Sequence, residues 1–327
     1  MRILTDNDIR SVFDWAAAAE ALRAVYAEPD DAARYPPRSM ARGDGVWLRT
    51  LSGVSQTGDL MGTKVIAASV RGRRASYLIA LFGQDTSELL ALMDGNAITG
   101  FRTAATSALA ADCLAPRMPL SVGVIGSGFE ARNHVRALAA IRTVQRICVY
   151  SPNPASRSSF VRELADAGLN ITPVDNARAA VASADLVICA ARSRDETPTL
   201  RSDGLLPSAT IVSIGSTLPE QREVDSSVIA AARVVVADMA DEVAHDTGDM
   251  LAAKREGVSF DSKLVGLSDV VGGRHPGRTS PDEIVLYKSV GAGIQDLTVA
   301  AMCMRRAAEC EVGTLLPGLI APVDKGK

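Results

Sequence analysis

The sharpest chemistry in this sequence sits at GSGFEA, residues 126–131, between the apolar run SVGVI and the segment ARNHVRALAAI, which has helical spacing. A strand, a glycine turn and a helix in that order form a dinucleotide cradle. Gly126 permits the tight turn, and Gly128 has no side chain to block a pyrophosphate. The helix start at Ser127, Phe129, Glu130 and Ala131 offers free amides and the positive end of its dipole to the phosphates. Ala131 stands where the third glycine often is, a variant compatible with close helix–strand packing. A glycine turn without a ligand is the plainer alternative. The next strand-like run, RICVY (146–150), decides the nucleotide. It leads into SPNPASR rather than into the Asp or Glu that NAD sites present to the ribose hydroxyls. Ser151 and Asn153 can donate hydrogen bonds to a 2′-phosphate and Arg157 can supply charge, which favours NADP over NAD. Arg157 as a solvated residue of the following helix is the alternative.

The elements that must carry this site follow from periodicity. From Pro119 onward SVGVI, RICVY, ITPVD, LVICA, TIVSIG and RVVVAD are short, β-branched runs, with helical segments between several of them (131–141, 158–168, 228–233). That alternation predicts a Rossmann-type α/β fold, a doubly wound parallel sheet covered on both faces. Before it, 14–28 reads as an amphipathic helix, VWLRTL, TKVIAAS and SYLIALF read as strands, and 94–115 reads as an alanine-rich helix. After it come an acidic helix-like segment at 241–257, the loop VVGGRHPGRTS, a strand-like run EIVLYKS, and a long helix ending near Glu311.

Composition bounds the function. The 327 residues are 47% hydrophobic and 22% charged, an ordinary globular balance long enough for about two domains. With 35 basic and 38 acidic residues the formal charge is −3, and aromatics are 4%, so neither a nucleic-acid surface nor an anionic membrane is an expected partner. No apolar run reaches the ~20 residues of a membrane span, and the charged N-terminus does not read as a signal peptide. The five cysteines form no CxxC pair and read as small buried hydrophobes; Cys303 and Cys310, seven apart, fall on one helix face. A reducing, cytoplasmic setting is the expectation.

PPRSM (36–40), MGTKVI (61–66), ITGFRTAATSA (98–108), VGVIGSGFEA (122–131), IGSTLPEQREVD (214–225) and PDEIVLYKSVGAGIQDL (281–297) together resemble, in order and spacing, the ornithine cyclodeaminase/mu-crystallin family. The resemblance covers nearly the whole chain. It implies an NAD(P)-binding Rossmann domain over 118–290. It also implies a second α+β domain, built from 1–117 and 291–327, that binds substrate and makes a homodimer contact. It places Arg38, Lys64 and Arg102 around the α-carboxylate of a small-molecule substrate, assigns Thr103 to the cofactor, and sets the backbone of Ser289 to Gly291 beside the nicotinamide. The physics is compatible: arginine forks match carboxylates, lysine is a movable charge and a proton donor, and Arg102 among small apolar neighbours calls for an anion.

One departure redirects the chemistry. The acid/base Asp of the family's cyclodeaminases falls on Thr217, which has no pKa near neutrality, and Glu220 and Glu223 lie outside the matching position. The expected reaction is therefore NAD(P)H-dependent reduction of an imino acid, or of a 2-oxo acid plus amine, to an α-amino acid, with the nitrogen protonated from water or by Lys64, the expected catalytic residue. A cyclodeaminase with tightly held NAD is the enzyme alternative, and a crystallin-type protein that stores NADPH or a small ligand is the alternative of another class. No metal is expected: His245 in DEVAHDTGD reads as part of a solvated acidic face, His275 as a turn residue, and His134 as packing or surface.

Overall fold

The computed structural model describes residues 1–56, 59–191, 197–318 and 320–325. The chain divides into two compact units, one made of Met1–Thr103 and Ala292–Lys327, the other of Ala104–Gly291. In the first, β1 (Arg2–Leu4) leads to α1 (Asp6–Val12) and α2 (Trp15–Tyr26). The Asp14 side chain accepts from the Ala17 amide and starts α2, which buries Ala18, Leu22, Val25 and Tyr26 along one stripe. An antiparallel meander follows: β2 (Ser39–Gly43), β3 (Val46–Val54), β4 (Leu60–Ser69), β5 (Arg74–Gly83) and β6 (Leu89–Asp94). Leu51, Lys64 and Ile79 face one another across β3, β4 and β5 and are all buried. Leu48, Ala67 and Ser76 form a row on the opposite face and are exposed. A lysine thus occupies a position where the alternation calls for an apolar side chain. Helix α3 (Asn96–Leu114) then carries the chain across the division at Thr103.

The second unit is the predicted parallel sheet. Its elements are β7 (Leu120–Ile125), α4 (Phe129–Ile141), β8 (Val144–Tyr150), α5 (Pro154–Glu163), β9 (Ile171–Pro173), α6 (Ala177–Val181), β10 (Leu186–Cys189) and β11 (Thr210–Ser213). They continue with α7 (Ser226–Ala231), β12 (Val234–Ala237), α8 (Ala240–Asp246), α9 (Gly248–Arg255), β13 (Leu264–Gly266), α10 (Leu267–Val271) and β14 (Val285–Lys288). The order is β13-β12-β14-β11-β10-β7-β8-β9, with every pairing parallel. The direction of winding reverses between β7 and β10, and the carboxyl ends of strands at such a reversal are where ligands bind. Two segments differ from the periodicity. α5 begins at Pro154 because Asn153 caps it, and the acidic segment 241–257 breaks into two helices at Thr247, whose extended backbone interrupts the ladder.

The chain re-enters the first unit through α11 (Gly293–Glu309) and ends its regular structure in β15 (Thr314–Leu315). The mixed sheet reads β15-β1-β6-β5-β4-β3-β2, and α11 lies against β3, β4 and β5. A Cβ on Gly293 would stand 2.9 Å from the Ser52 carbonyl oxygen, so the helix can start this close to β3 only with glycine there. Cys303 is buried in α11, whereas Cys310, the residue that caps the helix, is exposed.

Candidate functional site

The glycine turn has the geometry its sequence requires. Gly126 holds φ at +111°, and a Cβ there would meet the Ala190 carbonyl oxygen at 2.5 Å, at the mouth between β7 and β10. A Cβ on Gly128 would meet nothing within 4 Å, so space for a ligand lies over the turn. Gly128 caps α4 with no side-chain hydrogen bond, which leaves the first amides of that helix to an anion. Ser127 is buried, Phe129 is exposed, Glu130 is half-buried, and Ala131 is fully buried where α4 packs on the sheet. These residues fit a dinucleotide pyrophosphate.

At the end of β8, Ser151 is buried and its carbonyl accepts from Arg157 Nη1 at 2.7 Å. The Asn153 amide oxygen is engaged as the cap of α5, accepting from the Ala155 amide at 2.9 Å. Arg157 Nη2 donates to Asp175 Oδ1 at 2.9 Å. Asp175 escaped the sequence reading because it lies 18 positions from Arg157 and meets it only once β9 pairs with β8. Ser289 and Gly291 are gathered by one carboxylate: Asp238 accepts from the Ser289 hydroxyl at 2.6 Å and from the amides of Val290 at 3.0 Å and Gly291 at 2.9 Å. Asp238 follows the last residue of β12, where a buried acid was the one available signal.

A buried charged network underlies this unit. The Glu223 carboxylate accepts from the Ser213 hydroxyl at 2.7 Å and from the amides of Gly215 at 2.7 Å and Ala191 at 3.0 Å. It thereby ties the turns after β10 and β11. Lys288 Nζ donates to Ser213 Oγ at 3.0 Å and forms an ion pair, without hydrogen-bond geometry, with Asp249 Oδ2 at 3.1 Å. Burial pushes the Glu223 carboxyl up to about 7, opposed by the Lys288 charge. Thr217 is half-buried and its amide and hydroxyl both donate to Gln221 Oε1, while Glu220 is exposed.

The first unit brings Lys64 and Arg102 together and adds an acid. Lys64 on β4 is 1% exposed and Arg102 on α3 is 7% exposed. Their common partner is Asp296 in the first turn of α11, fully buried: its Oδ1 accepts from Lys64 Nζ at 2.7 Å and from Arg102 Nε at 2.9 Å. Arg102 Nη1 donates to Gln295 Oε1 at 2.6 Å, and Gln295 Nε2 donates to the Tyr26 hydroxyl at 2.9 Å. The anion that Arg102 calls for is thus supplied in part by the protein itself. Burial pushes the Lys64 ammonium down to about 8; the Asp296 carboxylate pulls it up, and the Arg102 and Arg49 charges push it down. Arg49, which sequence reasoning missed, stands on β3 one alternation from Leu51, on the face of Lys64, with its guanidinium 5.1 Å from the Trp47 ring. Arg38 is half-buried and precedes β2; carried one residue past Ser39↔Thr50, the register sets it level with Leu51 and Lys64. Thr103 donates to the Thr99 carbonyl at 2.7 Å within α3.

The other candidates stay local. His134 is buried, with Nδ1 on the Glu130 carbonyl at 2.8 Å and Nε2 on Ser107 Oγ at 3.0 Å, and burial holds its pKa down at about 4. His245 is an exposed neighbour of Asp241, and His275 Nδ1 accepts from the Gly277 amide in a turn. Among the described residues no group of three His, Cys, Asp or Glu side chains could hold a metal, and no helix is long and apolar enough to cross a membrane.

A doubly wound parallel sheet with an open glycine turn at its switch point defines a dinucleotide-binding α/β protein, here joined to a unit with a buried lysine–arginine–aspartate cluster. The chain belongs to the ornithine cyclodeaminase/mu-crystallin family, whose model matches residues 37–311. It is 28% identical over 262 residues to a Delta(1)-pyrroline-2-carboxylate reductase of Bacillus cereus, covering 78% of this chain and 80% of that one. It is 29% identical over 222 residues to an iminosuccinate reductase of Paracoccus denitrificans, covering 68% of each. Among solved structures, the Delta(1)-pyrroline-2-carboxylate reductase of Thermococcus litoralis in complex with NADH and L-proline superposes with a TM-score of 0.88 at 26% identity, over 97% of this chain and all of that one.

Proposed function

We propose that this protein is an NAD(P)H-dependent reductase of imino acids, converting a C=N bond beside a carboxylate into an α-amino acid. The observation that carries the reading is the Lys64–Arg102–Asp296 cluster. Two cations share one internal carboxylate, which leaves one positive charge in excess, enough to receive a single substrate carboxylate. Relatives named as reductases of a cyclic and an acyclic imino acid support the same substrate class. In this reading the first unit binds substrate and the second binds the nucleotide. The residues that would hold the nucleotide are Gly126 to Ala131 for the pyrophosphate and the Ser289–Gly291 turn, held by Asp238, for the nicotinamide end. When bound, the nicotinamide supplies the hydride. Arg102 and Lys64 orient the carboxylate, and Arg38 adds charge from the next strand edge. Lys64 Nζ gives a proton to the imine nitrogen, so that the carbon becomes electrophilic, and recovers one from solvent.

For the dinucleotide the proposal is NADP. No carboxylate ends β8, and Arg157 is held by an aspartate whose side chain is 95% exposed. A carboxylate so far in solvent holds the largely buried Arg157 weakly and yields to a 2′-phosphate. A second copy of the chain is the proposed partner, through the exposed Val46, Leu48 and Leu78 on the sheet face opposite Lys64.

The test is a screen of cyclic imino acids, and of 2-oxo acids with ammonia or methylamine, following oxidation of NADPH and NADH. Stoichiometric formation of an α-amino acid is expected. Ammonia release from ornithine without added reductant would establish the cyclodeaminase reading, and tight nucleotide binding with no turnover would establish the storage reading.

A further inference from the structure

Asp296 carries an inference that deepens this reading and rests on it. Both cations of the cluster bind the same oxygen, Oδ1. The other oxygen, Oδ2, is buried and has no hydrogen-bond partner among the described residues. The adjacent Gln295 does not serve it: its oxygen accepts from Arg102 and its nitrogen donates to Tyr26. Leaving a buried charged acceptor bare is destabilising. Asp249 Oδ2 is left the same way, but there Glu223 and Asp249 match Lys288 and Arg222. Here two cations face one carboxylate, and a further anionic group with a donor is called for. The missing group is a hydrogen-bond donor.

Which donor follows from the neighbours. Lys64 and Arg102 attract a carboxylate, and in an α-imino or α-amino acid the nitrogen is attached to the carbon that bears the carboxylate. A ligand that meets the two cations therefore brings its nitrogen to the acid between them. We propose that Asp296 is a catalytic residue whose Oδ2 accepts the N–H of the substrate's protonated imine and of the product's amine, while Oδ1 holds Lys64 and Arg102 in place. The proton from Lys64 Nζ forms that N–H bond. As hydride adds to carbon, the C=N π pair moves onto nitrogen, the N–H stays on Asp296, and Lys64 takes a new proton from solvent. The carboxylate that Thr217 cannot be is thus supplied from α11, an element remote in sequence from residue 217.

Calorimetric titration of the NADPH-loaded protein with L-proline and with cyclopentanecarboxylate, the same ring and carboxylate without the nitrogen, tests this. The wild type is expected to bind L-proline about tenfold or more tightly than cyclopentanecarboxylate. In Asp296→Asn the preference should fall to about twofold or less, with NADPH affinity unchanged. Equal binding of the two ligands by the wild type, binding of neither, or a preference that survives Asp296→Asn would overturn the proposal. The wild-type comparison decides even if the variant fails to fold. Selectivity for L-proline in a protein that reduces no imino acid supports the Asp296 contact while defeating the reductase reading.

Discussion

Each unit buries a lysine against carboxylates, and the two clusters are finished differently. In the Rossmann unit, Glu223 is saturated by one hydroxyl and two backbone amides, and Lys288 is enclosed by Ser213 and Asp249. Its partners are turns of the sheet it stabilises. In the other unit, Lys64 and Arg102 converge on a single oxygen of Asp296 and leave the second bare. Asp249 Oδ2 lacks a hydrogen bond as well, but there Glu223 and Asp249 balance Lys288 and Arg222, whereas Lys64 and Arg102 outnumber Asp296. An open acceptor beside excess positive charge is what the proposed receiving site has and the staple lacks. Burial alone does not separate them, since both lysines are about equally inaccessible; the balance of charge does.

The contrast can be broken by substitution. Lys64→Ala should lower kcat/KM about a thousandfold or more while nucleotide affinity changes less than about twofold, read by steady-state kinetics and NADPH fluorescence titration. Lost nucleotide binding in a folded variant would remove the distinction between the clusters. Glu223→Gln should do the reverse. An amide nitrogen facing the Ala191 or Gly215 amide costs about 2–4 kcal/mol and lowers Tm by about 6–12 °C, with imine reduction per folded molecule retained.

Acidity sharpens the same comparison. Lys64 acts in its protonated form, so kcat/KM should fall above about pH 8, approaching tenfold per unit. Burial raises the Glu223 pKa to about 7 in the folded state, above its unfolded value, so the folded state holds the extra proton between the two values. That stabilisation is fully present below the unfolded pKa and is lost as pH rises through about 7. A thermal melt of wild type and Glu223→Gln across pH 5 to 8 reads it. The smallest effect is on cofactor choice: Arg157→Ala should shift the NADPH/NADH ratio of kcat/KM about tenfold toward NADH, and Asp175→Ala should shift it slightly the other way.

What the sequence made legible is what chain-local physics determines. The strand–turn–helix at 120–141 was readable because glycine, apolar run and helical spacing adjoin one another, and the parallel sheet was readable from its alternation with helices. Lys64 was singled out by the family resemblance that MGTKVI carries. Asp296, Asp238 and Asp175 were not recognised because each acts on residues brought near only by the fold: Lys64 is 232 positions from Asp296, and Ser289 is 51 from Asp238. A buried acid in an apolar helix start needs a cation, and that demand was the one sequence signal for Asp296. Short edge elements such as β2 and β13 carry too few apolar residues to announce themselves.

The proposed function depends on the Lys64–Arg102–Asp296 cluster gripping the acid group of an imino or amino acid. A crystal structure of the protein with NADPH and L-proline tests it most directly. The ligand carboxylate should lie within hydrogen-bond distance of Lys64 Nζ and the Arg102 guanidinium. L-proline bound with its carboxylate on other residues, and Lys64 still held by Asp296 alone, would contradict it.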